Sequence, residues 1–181
     1  SCGACVQACP TDALREKYGG GFVLFSGRHR YYKGIEYLVR AAKHISAPVV
    51  IAGDGSERES CMALARELGV EIAFPGALGH DDLLAHLYAC DVFAFPSIAR
   101  SEAYGISMLE AHVAGKPVVA TTLGTGVEFV NVHGVTGLNV PPKDAEALAA
   151  AINQLTDDAA LRKRFGAAAK KRVETGFHAE R

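Results

Sequence analysis

At 181 residues the chain is long enough for one well-packed domain rather than two. Apolar residues make up 49% and charged residues 22%, which is globular composition and excludes an extended disordered polymer. Nineteen basic and twenty acidic residues nearly cancel, so no nucleic-acid partner is expected and any anion site must be local.

From Thr11 onward the pattern alternates between strand and helix. The apolar run 22–25 predicts a buried strand that stops at Ser26-Gly27. Ile35, Leu38, Val39, Ala42 and Ile45 then recur at helical spacing. A second strand is predicted over 48–52, stopped by Gly53-Asp54-Gly55-Ser56. A helix follows to about Leu68, with Gly69 as its stop. A third strand covers 70–74. Asp81 opens a helix through Leu83, Leu84, Leu87 and Tyr88, and a fourth strand covers 91–95. The run 105–113 predicts a helix ended by Gly115, followed by strands over 117–120 and 136–140. Ala145, Leu148, Ala149, Ile152 and Leu155 form a helical stripe, and a last helix is predicted over 158–173. Apolar strands alternating with helices imply a parallel sheet covered on both faces. The expected architecture is an α/β doubly wound parallel sheet, Rossmann-like, over residues 21–181, with residues 1–20 as a linker or remnant segment. Ligands of such sheets bind beyond the carboxyl ends of the strands.

Cys61 and Cys90 fall within this pattern and read as small buried hydrophobes. Cys2, Cys5 and Cys9, followed by Pro10, resemble part of a bacterial ferredoxin cluster motif. A four-iron cluster needs four thiolates and the run supplies three, so an electron-transfer fragment is the minor reading. The seven histidines show no paired ligand spacing; they are expected on helix surfaces and loops, and none is assigned to a metal.

Two segments after strands carry chemistry. In Gly27-Arg28-His29-Arg30-Tyr31-Tyr32-Lys33-Gly34, Arg28 and Lys33 place two cations at the mouth of the sheet. Arginine offers a planar fork for phosphate oxygens and lysine a compact point charge. Taken alone, the segment reads first as a solvated basic loop. In the run 101–110, Glu102 precedes a helix and Glu110 lies in its second turn. Gly105 at the helix start lets a ligand approach the backbone, and the amides after it are free donors for an anion. Each carboxylate can accept hydrogen bonds from sugar or ribose hydroxyls. Singly, each acid reads first as an ordinary helix-associated glutamate.

Glu102 and Glu110, with seven residues between, together with the Gly-Arg-x4-Lys-Gly segment, resemble glycosyltransferase family 4. Ala52-Gly53-Asp54-Gly55, Phe74-Pro75-Gly76, the segment 115–120 and the segment 134–138 resemble further turns and signatures of that family in order, over about residues 11–178. The resemblance implies a GT-B fold of two facing domains, of which this chain is similar to the C-terminal, donor-binding one, without the N-terminal acceptor-binding domain. It implies that Gly27, Arg28 and Lys33 hold a diphosphate and that Glu110 binds ribose hydroxyls. It places Glu102 on the donor sugar, Gly105, Ile106 and Ser107 on sugar and phosphates, and the turn Gly76-Ala77 beside the base. With Arg28, Lys33 and Glu102 in the catalytic part, the implied activity is hexosyl transfer with retention. The donor is a nucleoside diphosphate sugar, leaning to GDP-mannose, and the acceptor a saccharide or lipid-linked saccharide.

No cofactor and no metal are expected, which agrees with the lack of an Asp-x-Asp triplet, since cations and helix amides can neutralise a leaving diphosphate. A phosphorylase, a nucleotide-sugar epimerase and a non-catalytic nucleotide-sugar sensor are the alternatives. The first ten residues lack the basic and apolar parts of a signal peptide, and the apolar runs are too short for a bilayer. A cytoplasmic location is therefore expected, with the parent enzyme peripheral to the inner membrane surface as a variant.

Overall fold

The computed structural model describes residues 10–102 and 105–176; Cys2, Cys5, Cys9 and His178 lie outside the described residues. In chain order the elements are α1 (Pro10–Lys17), β1 (Val23–Ser26), α2 (Ile35–Ala41), β2 (Val49–Ala52), α3 (Arg58–Leu68), β3 (Ile72–Gly76) and α4 (His80–Ala89). They continue with β4 (Val92–Phe95), α5 (Ile106–Val113), β5 (Val118–Thr121), α6 (Gly126–Val130), β6 (Gly137–Val140), α7 (Ala145–Asp157) and α8 (Ala159–Gly176). The strands form one parallel sheet in the order β3-β2-β1-β4-β5-β6. After β3 the chain returns across the sheet through α4 and restarts on the far side of β1. The carboxyl ends of β1 and β4 therefore diverge into the crevice where doubly wound sheets bind ligands.

The apolar strands divide their side chains between two cores. Val23, Phe25, Val49 and Ile51 face α2 and α7, where Leu38, Leu148 and Ile152 cover them. Leu24, Val50, Phe93 and Phe95 face the other way, onto Leu87 of α4 and Met108 of α5. Each fully buried side chain of this size contributes about 1.5–3 kcal/mol, so both layers hold the strand ends in place.

Four local features depart from the sequence pattern. Strand β3 starts at Ile72 rather than 70, because Gly69 caps α3 in the left-handed conformation and the Val70 amide still bonds back to the Ala65 carbonyl. Its register shifts between Val50 and Ala52, where Pro75, with no amide to donate, sits on the edge strand. The short helix α6 has no apolar stripe long enough to announce it, but Thr125 and Glu128 form a capping box at its start.

The expected linker over 1–20 ends early. Pro10–Lys17 is a helix packed on α4, with Leu14 and Tyr18 against the second core. Arg15 bonds the Ala89 carbonyl and the Asp91 carboxylate, both at 2.9 Å, and the Tyr18 hydroxyl meets His86 Nε2 at 3.0 Å. These polar contacts across more than sixty residues carry no local signature.

Cys61 and Cys90 are buried as expected. Burial pushes their thiols up to about 11 and about 12, so both stay protonated and unreactive near neutrality.

Candidate functional site

The loop after β1 is built by its contacts with the neighbouring strand ends. The His29 amide donates to the Asp54 carbonyl, and the His29 carbonyl accepts from the Glu57 amide. The His29 ring is fully buried, with Nε2 3.3 Å from the Ala52 carbonyl. Because that oxygen only accepts, Nε2 carries a proton. Burial lowers its pKa and outweighs the opposing Ala52 bond. His29 thus ties the loop to β2 and leaves its neighbours Arg28 and Arg30 exposed. Gly34 then turns the chain at φ 62°, and a Cβ there would lie 2.1 Å from the Pro96 carbonyl. The Ile98 amide donates to the Tyr32 carbonyl at 2.8 Å. The loops after β1 and β4 are in this way seated directly on one another.

Across that seam, Lys33 Nζ meets Glu102 Oε2 at 2.5 Å, with 14% and 10% of the two side chains exposed. Lys33 also lies 5.4 Å from the ring centres of both Tyr32 and Phe95. Two largely desolvated charges are tolerable because they are paired; either one left alone would be costly. The Ser97 hydroxyl adds a bond to the same Glu102 oxygen at 3.2 Å, and the Thr121 hydroxyl donates to the Ser97 carbonyl.

Helix α5 begins beside this pair. Gly105 caps it at φ 68°, and a Cβ there would press to 2.5 Å from the Phe95 ring, so only glycine suits the position. The first intrahelical bond is accepted from Met108 by Gly105, which leaves the amides of Gly105, Ile106 and Ser107 as the helix's outward donors. Ile106 is exposed, Ser107 half-buried and Glu110 exposed.

Gly27, Arg28 and Ala77 line a cleft of about 580 Å³ with Asp54, Leu78 and Leu83. Gly76, at the end of β3, is fastened through its carbonyl to the Gly53 amide at 2.7 Å. The structure thus brings Gly27, Arg28 and Ala77 to one cleft, with Gly76 bonded to Gly53 at its edge, and Lys33, Glu102, Gly105, Ile106 and Ser107 to the crevice next to it. Glu110 stands on α5. A larger concavity of about 680 Å³, lined by Pro48, Val49 and Ile72, opens at the amino ends of β2 and β3. It lies at the wrong end of the strands for the strand-end loops to reach, so the cleft at the carboxyl ends is the candidate site.

Two results were not anticipated. Lys33, expected on a phosphate, is paired with Glu102, a contact that leaves that expectation as it stood. His29, His86 and His112, expected on surfaces or loops, are buried at 0%, 4% and 0% exposure. His29 serves the backbone tie described above, and His86 answers Tyr18. His112 faces inward from α5, and neither of its nitrogens has a hydrogen-bond partner of good geometry among the described residues. Sequence reasoning also missed Ser97 and Thr121. They are 24 positions apart and meet only because β4 and β5 are neighbours. The capping pair Thr125 and Glu128 was findable, since a threonine three positions before a glutamate is a helix-start signature.

The family model for glycosyl transferases group 1 matches residues 12–172. A model for a 4Fe-4S binding domain matches residues 1–15, mostly outside the described residues. An O-antigen chain mannosyltransferase C of Escherichia coli is 36% identical over 92% of this chain and 45% of its own length. The D-rhamnosyltransferase WbpZ of Pseudomonas aeruginosa is 40% identical over 91% of this chain and 44% of its own. The chain therefore spans a little under half the length of these curated relatives. Among solved structures, Anabaena HepE in complex with UDP-glucose superposes with a TM-score of 0.81 at 26% identity, covering 92% of this chain and 48% of that one. The C-terminal domain of a glycosyl transferase group 1 family protein from Francisella tularensis has a TM-score of 0.80, covering 97% of this chain and 95% of that one. Its identity of 22% speaks for the fold alone.

Proposed function

The chain belongs to the glycosyl transferases group 1 family, and from that premise we propose that it is the donor-binding, C-terminal part of a retaining hexosyltransferase. In this reading the donor is a nucleoside diphosphate sugar, and an N-terminal domain supplies the acceptor, a saccharide or lipid-linked saccharide. The observation that carries the reading is the crevice between β1 and β4. There a cation, a carboxylate and a helix start meet beyond the carboxyl ends of the strands.

The chemistry follows from charge. As the bond from the anomeric carbon to the diphosphate breaks, negative charge gathers on the departing phosphate oxygens. Arg28, Lys33 and the amides of Gly105, Ile106 and Ser107 stabilise that charge without reorganising water. Lys33 reaches the diphosphate by leaving Glu102, and Glu102 is then released as an acceptor for a sugar hydroxyl. Donor binding and the readiness of Glu102 are thereby one event. Glu110 takes the ribose, and Gly76-Ala77 borders the base. Metal-independent binding belongs to the proposal, because the two cations and the helix start take the part a metal would otherwise play.

The mannosyltransferase of Escherichia coli and a GDP-mannose-dependent mannosyltransferase of Corynebacterium glutamicum, both similar to this chain, support GDP-mannose as donor. The UDP-glucose held by the Anabaena neighbour is the specific observation in favour of a UDP-sugar. A cytoplasmic place of action, peripheral to the membrane in the parent enzyme, completes the proposal. Among the described residues no helix is long and apolar enough to cross a membrane.

Titration calorimetry in the presence of a chelator tests this, with GMP, GDP and GDP-mannose beside UMP, UDP and UDP-glucose. One set is expected to bind without added metal. Arg28→Ala should cost about 1.5–3 kcal/mol with the diphosphate and less with the monophosphate, since it removes a charge-assisted bond. Glu110→Gln should cost the same with both. Absence of binding, or binding only after magnesium is restored, refutes the proposal in whole or in its metal-free part.

A further inference from the structure

We propose that Ser97 is a positioning residue for Glu102, locked in turn by Thr121, and that this pair governs recognition of the donor's sugar rather than its nucleotide. The inference rests on the nucleotide-sugar reading of the same crevice. Ser97 is fully buried and Thr121 is 3% exposed, so neither can touch a ligand directly. Their bonds run in series from the end of β5 to the carboxylate: the Thr121 hydroxyl donates to the Ser97 carbonyl, and the Ser97 hydroxyl donates to Glu102 Oε2.

The arrangement makes the two oxygens of Glu102 unequal. Oε2 receives both Lys33 Nζ at 2.5 Å and the Ser97 hydroxyl at 3.2 Å. Oε1 has no hydrogen bond among the described residues and remains an acceptor. When Lys33 turns to a diphosphate, the cation is withdrawn from Oε2. Ser97 is then the remaining donor on the carboxylate of a buried glutamate. A carboxylate so placed loses its orientation, or is poorly solvated, if that donor is missing. Ser97 therefore matters most in the liganded state, when Lys33 has gone and Oε1 must point at a sugar hydroxyl. Thr121 belongs to a different strand, so its bond fixes the Ser97 backbone against rotation about the β4 end.

The experiment compares wild type, Ser97→Ala, Thr121→Val, Glu102→Gln and the Ser97→Ala/Glu102→Gln double variant. Each is titrated with GDP and GDP-mannose, and with UDP and UDP-glucose. Removing the donor to a charged acceptor should weaken the sugar nucleotide roughly tenfold in Ser97→Ala while leaving the diphosphate within about twofold. Thr121→Val should act in the same direction more weakly. In the Glu102→Gln background, Ser97→Ala should have no further effect, because its only route to the sugar has been removed. Equal losses for diphosphate and sugar nucleotide, with a lower unfolding temperature, would mean a purely structural serine and overturn the inference. Unchanged sugar-nucleotide binding in Ser97→Ala, or an undiminished loss in the double variant, also overturns it while leaving the nucleotide site intact. A wild-type protein that binds none of the four ligands overturns the reading of the crevice and this inference with it.

Discussion

Acidification should unseat helix α5 through His112, and the size of the effect follows from the structure. His112 is fully buried on the inner face of α5, and neither ring nitrogen has a hydrogen-bond partner of good geometry among the described residues, although the Asn131 side chain lies close enough to interact. Burial lowers its pKa from 6.5 to about 4; the neighbouring Asn131 side chain opposes this, and the Arg172 charge adds to it. The folded protein therefore binds a proton at His112 less readily than the unfolded chain does. Stability from the neutral ring is fully present above pH 6.5 and is lost as pH falls through the window down to about 4. The full shift corresponds to about 3 kcal/mol, of which about 2 kcal/mol is lost between pH 7 and pH 5. In a domain of this size that is a fall of roughly 4–8 °C in unfolding temperature.

His29, also lowered, titrates in the same direction, so the assay must be differential. Urea unfolding of wild type and His112→Leu is followed at pH 7, 6 and 5. Leucine keeps an apolar side chain in the site and cannot titrate. The stability of wild type relative to the variant should fall by about 2 kcal/mol across that range. Because α5 bears Glu110 and the outward amides, nucleotide affinity should fall in wild type only where α5 begins to open. Parallel pH profiles for the two proteins would refute the reasoning, since they would mean that His112 titrates alike in the folded and unfolded chains.

Gly105→Ala should cost at least 1–2 kcal/mol of stability from the left-handed backbone alone. It should also weaken diphosphate binding about tenfold or more by pushing the start of α5 off the Phe95 ring; a variant with wild-type binding would show that these amides hold no phosphate. Tyr18→Phe removes the hydroxyl that meets His86 and should cost about 0.5–1.5 kcal/mol in thermal or urea unfolding. No change there would mean that α1 is anchored by Arg15 and its apolar contacts alone.

The strands and most helices were legible because their signal is local. Phe22 to Phe25, Pro48 to Ala52 and Asp91 to Phe95 are short apolar runs bounded by turn residues, and each lies within a residue or two of a strand in the structure. A helix stripe such as Ala145, Leu148, Ile152 and Leu155 repeats within a few turns of its own chain. Helix α1 escaped because Pro10–Lys17 buries none of its own residues fully. It is held instead by Arg15, Leu14 and Tyr18 reaching elements more than sixty positions away. Arg28, Lys33, Glu102 and Glu110 could be singled out by type and spacing, but the partner that Lys33 meets could not.

What the sequence by itself determined is the alternating order of elements, the parallel sheet that order requires, and the motifs that mark the family. Backbone periodicity and turn chemistry are set by neighbours a few residues apart, so they can be read along the chain. Tertiary structure alone decided that β1 and β4 are neighbours, and so that Lys33 closes on Glu102 and Thr121 on Ser97. It alone buried His29 and His112. Those outcomes depend on which apolar faces pack together and on the desolvation of charges brought into contact. That choice is made by the whole core at once, and no single segment of sequence carries it.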